Sequence, residues 1–206
     1  LYWMQASQRV EENHALELAK EIANDLSLPL VVLFVLFKEY PSANSRSFTF
    51  MIEGLLEVSE SLEEADISFL AIEGEPVESV TLVASEASVL VTDAGYLRHQ
   101  TDWREALAEK ADCPFFRVES NVVIPVAVPS QKEEYSAATI RPKIHKNLDA
   151  FISDFAPVSY RTRSTELSFA NLPRVDLKRF LEKIRDKHDL SPVRDFKGGT
   201  EEARRR

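Results

Sequence analysis

Three short stretches of this sequence carry groups able to touch a ligand, and each directly follows an apolar run. The first is Gln5-Ala6-Ser7-Gln8-Arg9, after Leu1-Tyr2-Trp3-Met4. Its amides, hydroxyl and guanidinium can meet the polar edge of a bound molecule. The second is Phe37-Lys38-Glu39-Tyr40, after Leu30 to Leu36. An aromatic beside a cation can wall a flat ligand, although an aromatic at a strand end is also ordinary core material. The third is Asp93-Ala94-Gly95-Tyr96, after Val89 to Thr92. A carboxylate at this place either accepts from a ligand hydroxyl or ring nitrogen, or caps a turn. No stretch pairs a nucleophile with a base, so the chemistry indicated is binding.

Other chemistries lack their residues. His14, His99, His145 and His188 are far apart, and none forms a metal-ligand pair. The single cysteine, Cys113, excludes an intrachain disulfide and a cysteine zinc cage, and fits a reducing compartment. With five glycines there is no Gly-x-Gly-x-x-Gly, no Walker loop and no Gly-x-Ser-x-Gly elbow. Gly198-Gly199-Thr200 follows no strand and reads as a helix start; Arg204-Arg205-Arg206 reads as a solvated helix face. A net charge of -9 argues against a strong general DNA binder, because such binding needs clustered cations. The longest apolar run, Leu28 to Phe37, is interrupted by Pro29 and is strand-sized. Leu1 in place of a start methionine, and a helical pattern still running at Arg206, suggest a piece of something longer.

The elements that must hold the three loops alternate strand with helix. Leu1 to Met4 is a strand. Asn13 caps a helix with Ala15, Leu18, Ile22 and Leu26 on one face. Leu30 to Phe37 is apolar throughout, as in a parallel strand covered on both sides. A helix from Ser45 to about Ala65 precedes a strand at Ile67 to Ile72, and Pro76 opens the next helix. A strand at Val89 to Thr92, a helix at Gln100 to Lys110 and a strand at Phe115 to Val118 complete the set. Short connections between alternating elements predict an α/β fold: a Rossmann-like, doubly wound, five-stranded parallel sheet. Beyond it the pattern weakens into a partly helical linker. Glu133 to Ile140 reads as a short helix broken at Arg141-Pro142, and Ile144 to Phe155 as another. Ala156 to Pro173 is polar and irregular, and Val175 to His188 is helical. This tail has no obvious core of its own and must pack on the α/β domain or on a partner domain.

The segments together resemble one family. Tyr2-Trp3-Met4, Gln8-Arg9, Glu12-Asn13-x-Ala15-Leu16, Pro29-Leu30-Val31-Val32 and Phe50-Met51-x-x-Gly54-Leu55 are similar to the amino terminus of the class II cyclobutane pyrimidine dimer photolyases. Leu90-Val91-Thr92-Asp93, Leu97-Arg98, Pro114-Phe115-Phe116-x-Val118-Glu119 and Asn121-Val122-Val123 continue the likeness. The most specific part is Ser130-Gln131-Lys132-x-Glu134-Tyr135-x-Ala137-x-Thr139-x-Arg141-Pro142-Lys143-Ile144. Coverage is strong over about residues 1 to 155, and Phe196 to Ala203 resembles the lead into a catalytic domain.

The resemblance implies an amino-terminal antenna-type domain at residues 1–130 and a linker at 131–206. It implies a deazaflavin or folate pigment, or none, in the α/β domain, with FAD and damaged DNA bound by a following helical domain. That domain would be the principal partner, in the same protein or as a separate chain. Full-length members are lyases that split pyrimidine dimers by light-driven electron transfer from FAD; this chain alone is expected to be non-catalytic. Carried over by position, the pocket is Met4, Gln8, Arg9, Phe37, Lys38, Asp93, Gly95, Tyr96 and Arg98. Aromatic and apolar groups would sandwich the pigment, Asp93 would accept from it, and Arg9 or Lys38 would face its polar tail. The sequence departs from the family at Ala6-Ser7, where Arg-Asp is common, and at His14, where an aromatic is common. A cytoplasmic location is expected, nuclear in a eukaryote. The alternative reading is a stand-alone photolyase-like binding or regulatory module with no pigment and no repair activity.

Overall fold

Side chains alternate across a strand, and that rule places every residue of the central strands. β1 (Tyr2–Trp3) is followed by α1 (His14–Leu26), β2 (Val31–Leu36), α2 (Ser45–Glu64), β3 (Ser68–Glu73) and α3 (Pro76–Ala84). β4 (Leu90–Asp93), α4 (Arg98–Lys110) and β5 (Phe115–Val118) complete the α/β unit; α5 (Ala137–Phe151), α6 (Leu177–Asp186) and α7 (Thr200–Arg205) follow. The computed structural model describes residues 1–152, 154–169, 171–186, 192–193 and 195–206. All strand pairs are parallel, in the order β3-β2-β1-β4-β5. The expected five-stranded Rossmann-like sheet is therefore present, with the opening strand at its centre.

β2 is buried at every position. Val32, Phe34 and Leu36 face the side covered by α1 and α2, together with Tyr2 and Met4. Val31, Leu33 and Val35 face the opposite side with Trp3, Val80 of α3 and Leu107 of α4. A strand with two covered faces has no use for polar residues, which accounts for its unbroken apolar run. Helix starts follow local chemistry. Asn13 accepts from the Ala15 and Leu16 amides, and Asn44 from those of Arg46 and Ser47. Glu75 accepts from the Glu78 amide, with Pro76 in the first turn.

The tail packs on the α/β unit. Its irregular part runs beside α1, where the Ser159 carbonyl and Arg161 amide bond Asn24, and the Tyr160 hydroxyl accepts from the Leu30 amide at 2.7 Å. It then covers the free edge of β3: Val175 N–H bonds the Ala71 carbonyl at 2.8 Å and Glu73 N–H the Pro173 carbonyl at 3.2 Å. An unpaired edge is a template for stray strand addition, and this segment occupies it. α6 then lays Leu177 and Leu181 into the same apolar cluster as α2. His188, at the expected end of this helix, lies outside the described residues.

One expectation is corrected. Arg141-Pro142 does not break a helix: α5 runs through Pro142 as a single helix to Phe151. Pro142 is its sixth residue, so the missing N–H removes only the bond to the Ala138 carbonyl while later turns continue. Before α5, Glu134 accepts from Ser130 Oγ at 2.7 Å and pairs with Lys143. This local cluster links three residues of the family-like segment. The bonds from Lys143 and Ser130 hold the Glu134 carboxyl down at about 2.

Two outcomes follow from this packing. Leu181→Ala lowers stability by about 2–4 kcal/mol in urea unfolding followed by circular dichroism, within one transition rather than two. The Glu134 carboxyl titrates near pH 2 by NMR. Its contribution is complete above the ordinary carboxylate range and is lost as pH falls through that value, and Lys143→Met returns the midpoint upward.

Candidate functional site

In an open parallel sheet, ligands sit beyond the carboxyl ends of the strands, classically where the strand order reverses. Here the reversal lies between β1 and β4. That crevice is closed by Asp93, which is fully buried at the end of β4. Its Oδ1 accepts from the Gln5 amide at 2.7 Å and the Tyr2 hydroxyl at 3.0 Å. Its Oδ2 accepts from the Ala6 amide at 2.5 Å and the Ser7 amide at 2.7 Å. Two donors on each oxygen fill the lone pairs of a carboxylate. Burial, and then the neighbouring Asp93 charge, push the Tyr2 hydroxyl well above its ordinary range, so it remains a donor. Asn13 Nδ2 donates to the same hydroxyl at 3.0 Å and to the Arg9 carbonyl at 2.8 Å, tying the loop to the start of α1.

The open space lies on the other side of β1. A cavity of about 400 Å³ crosses the carboxyl ends of β1 and β2, between α2 and α4. Met4 and Gln8 line it from the first strand and its loop, and Phe37 from the second. Tyr40 and Trp103 add aromatic surface, and Phe48 and Met51 of α2 close the far wall. The aromatics meet edge to face: Phe37 and Trp103 at 5.5 Å, His99 and Trp103 at 4.9 Å, Tyr40 and His99 at 4.7 Å. Such a chain fixes ring orientation. Gln100 Nε2 reaches the Tyr40 hydroxyl at 3.4 Å, and its Oε1 accepts the Leu97 amide. A larger cavity, about 570 Å³, opens at the amino ends of the strands around Leu1, Leu30 and Val89. Its position is opposite the ligand end of the sheet, so the smaller cavity is the candidate site.

The nine residues expected to form the pocket divide. Met4, Gln8 and Phe37 line the cavity. Lys38 stands outside, paired with Glu73 at 2.6 Å and 5.8 Å from the Phe180 ring. Arg9 turns away and clips a later segment, donating to Asn121 Oδ1 at 2.7 Å and the Ser120 carbonyl at 2.6 Å. Asp93 holds the first loop. Gly95 has a positioning part: a Cβ there would lie 2.1 Å from Gln100 Oε1, so its small size leaves room for that amide. Tyr96 is half-exposed beside Glu119; partial burial first, then Glu119, raise its hydroxyl. Arg98 is exposed at the start of α4.

Gln5, Tyr40, Gln100 and Trp103 line the cavity as well. Gln5 and Tyr40 lie in stretches that the sequence marks as able to touch a ligand, whereas it marks Gln100 and Trp103 only as part of a helix. Gly54 stood within a family-like segment without a role. It and Gly199 also line the cavity, and their backbones touch: a Cβ on Gly54 would lie 3.4 Å from Gly199 N. Gly198 approaches closer still, since a Cβ there would lie 1.9 Å from the Phe50 carbonyl oxygen. Gly199 has φ of 121°, a conformation closed to side chains. Glu53 accepts the Gly198 amide at 3.0 Å and Glu57 the Thr200 amide at 2.7 Å, docking the start of α7 on α2.

A model of the DNA photolyase family matches residues 1–160. The chain belongs to the DNA photolyase family. It is 41% identical over 204 residues to a deoxyribodipyrimidine photo-lyase of Methanothermobacter thermautotrophicus, covering 98% of this chain and 44% of that protein. It is 37% identical over 164 residues to the corresponding enzyme of Potorous tridactylus, covering 77% of this chain and 30% of that protein. The chain thus spans less than half the length of these curated relatives. An archaeal photolyase structure from Sulfolobus tokodaii, described as holding two FAD molecules, superimposes with a TM-score of 0.73 at 15% identity. That match covers 99% of this chain and 44% of the other. A Synechocystis cryptochrome superimposes with a TM-score of 0.68 at 14% identity, over 82% of this chain and 37% of the other. These two structures share the fold. Among the described residues no cluster of potential metal ligands occurs, and no helix is long and apolar enough to cross a membrane.

The Asp93 clamp gives a direct prediction. Asp93→Asn places an amide N–H₂ among backbone N–H donors and lowers unfolding stability by about 3 kcal/mol, measured by urea denaturation. Ser7→Ala removes only the hydroxyl bond to Asn121 and costs about 1 kcal/mol in the same assay.

Proposed function

We propose that this chain is the light-harvesting domain of a class II photolyase, holding a flat pigment in the cavity between α2 and α4. The observation that carries the reading is the aromatic wall of Phe37, Tyr40 and Trp103 around a cavity of about 400 Å³ at the ligand end of the sheet. Apolar pockets of this size with a few polar groups are the usual form of a small-molecule site. The class assignment rests on the segment from Ser130 to Ile144, whose Ser130–Glu134–Lys143 cluster shapes the entry to α5.

The residues present fit a planar conjugated ring, either a deazaflavin or a folate pterin. The description of the Sulfolobus structure points to a light-harvesting role for a flavin there, which agrees with a planar-ring site on this fold. Such a pigment absorbs light and passes excitation energy to a second chromophore. The protein's part is to fix the ring and exclude water. Trp103 and Phe37 restrict its tilt, Met4 and Met51 fill against its faces, and the Asp93-clamped loop keeps the wall rigid. The change to Ala6-Ser7 is compatible with this reading. The loop is held through backbone N–H groups at these positions, so the clamp does not depend on an Arg-Asp pair.

In the whole protein, FAD, damaged DNA and the electron-transfer chemistry would belong to a helical domain that packs on this one. Exposed apolar side chains support that partner: Val123, Val126, Tyr135 and Ile152 are exposed, Tyr135 by 93%. α5 buries none of its own residues, although Ile144, Leu148 and Phe151 share one side. No catalytic residue is assigned to this chain.

Titration of the purified chain with an 8-hydroxydeazaflavin, and separately with a methenyl-tetrahydrofolate, tests the reading. One of them binds at one site with a red-shifted absorbance, and Trp103→Leu weakens it about fivefold. Absence of binding by both removes the antenna reading and leaves a photolyase-like module of other purpose.

A further inference from the structure

A small molecule reaches a cavity only through its mouth, and here the tail lies across it. Ser47, Phe50 and Gly54 of α2 line the cavity at the carboxyl ends of β1 and β2. Their three- and four-residue spacing puts them on one edge of the helix. Ser47 is exposed and Phe50 is 51% exposed, so the cavity opens to solvent along this edge. Of the tail residues described, only Gly199 joins the lining. Gly198, buried beside it, sits against the α2 backbone, where a Cβ would lie 2.9 Å from the Phe50 carbonyl carbon and 3.1 Å from Gly54 N. The two glycines let the chain pass over the mouth at backbone contact.

Polar groups hold it there. Glu53 Oε2 accepts the Gly198 amide at 3.0 Å, and Glu57 Oε2 accepts those of Thr200 at 2.7 Å and Glu201 at 3.3 Å. Further along, Arg204 pairs with Glu11 at the surface. α7 buries none of its own residues, so no apolar side chain anchors it. By contrast, α6 carries Leu177, Leu181 and Ile184 into the interior. A segment with few buried apolar contacts and solvent-exposed hydrogen bonds opens locally at far lower free energy than a docked helix. Release of α7 and the glycines before it therefore does not require α6 to leave.

We propose that Gly198, Gly199 and α7 form a lid on the cavity, latched by Glu53 and Glu57, and that a small molecule enters and leaves by release of this latch. The lid acts on access and not on selection, so the inference holds for whatever small molecule the cavity takes and does not rest on the pigment reading. Its two parts have separate duties. The glycines close the mouth, because a side chain at either position would collide with α2. The carboxylates hold the lid by bonds that water can replace.

The chain supplies its own reporter. Its two tryptophans, Trp3 and Trp103, both line the cavity, and Trp3 is 2% exposed. In the full chain carrying Trp103→Phe, quenching of Trp3 fluorescence by acrylamide reads entry into the cavity with no ligand present. The lid is released in two ways: Glu53→Ala with Glu57→Ala removes the acceptors, and Gly198→Ala pushes the tail off the Phe50 carbonyl. In each case hydrogen exchange of the Thr200 amide is expected to quicken about tenfold, with Leu181 of α6 still protected, and the Trp3 quenching constant to rise about threefold. Faster exchange at Thr200 with unchanged quenching overturns the lid. Unchanged exchange at Thr200 in the double glutamate variant overturns the latch. Loss of protection at Leu181 together with Thr200 makes α6 and α7 one unit and overturns the local release.

Discussion

Asp93 is the constraint on which the ligand end of this molecule depends. A fully buried carboxylate is costly unless its lone pairs are filled. Here four donors fill them, three being consecutive backbone amides of the loop after β1. The consequence is architectural. The crevice between β1 and β4, where the strand order would ordinarily leave room for a ligand, becomes a hydrogen-bonded seam. Space remains on the β1–β2 side, between α2 and α4, and the cavity is found there. The same seam directs Gln5 toward Arg104 and joins Tyr2 and Asn13 to the start of α1.

The second organising feature is the tail, whose sequence looks like a connector. It completes the fold in three places. Residues 173–175 cover the open edge of β3, α6 supplies Leu177 and Leu181 to the core beside α2, and Gly198-Gly199 docks on Gly54 at the cavity wall. Each contact relieves a different physical need: unpaired strand edge, exposed apolar helix face, and close backbone approach. Gly198 and Gly199 serve the last because a side chain at either position would collide with α2.

The chain belongs to the DNA photolyase family, and its ligand-end cavity is set apart from the hydrogen-bonded seam. Its polar groups are engaged in fixing loops, and the space at the ligand end is walled by aromatic rings. The exposed Val123, Val126, Tyr135 and Ile152 lie apart from that space, on segments after the sheet.

Much of the fold was legible from the residues themselves. The apolar run at β2, the caps at Asn13 and Asn44, Pro76 and the alternation of strand with helix are local signals, read within a few residues. Pro142 misled because a proline's cost depends on its place in a helix, and that place was set by where α5 begins. The site was legible in part. Met4, Gln8 and Phe37 follow from their position at strand ends. The loop containing Asp93 was also evident, but which donors its carboxylate meets depends on β4 lying beside β1, an arrangement 86 to 91 residues apart in sequence. Trp103, Gln100 and Gly199 join the cavity for the same reason: no local pattern records that α4, α2 and the tail converge over β1 and β2. The sequence by itself determined the elements and their loops, because propensity, capping and burial period act at short range. Only the tertiary structure decided which side of β1 is sealed and which stays open, because that choice is made by hydrogen bonds and packing between distant segments.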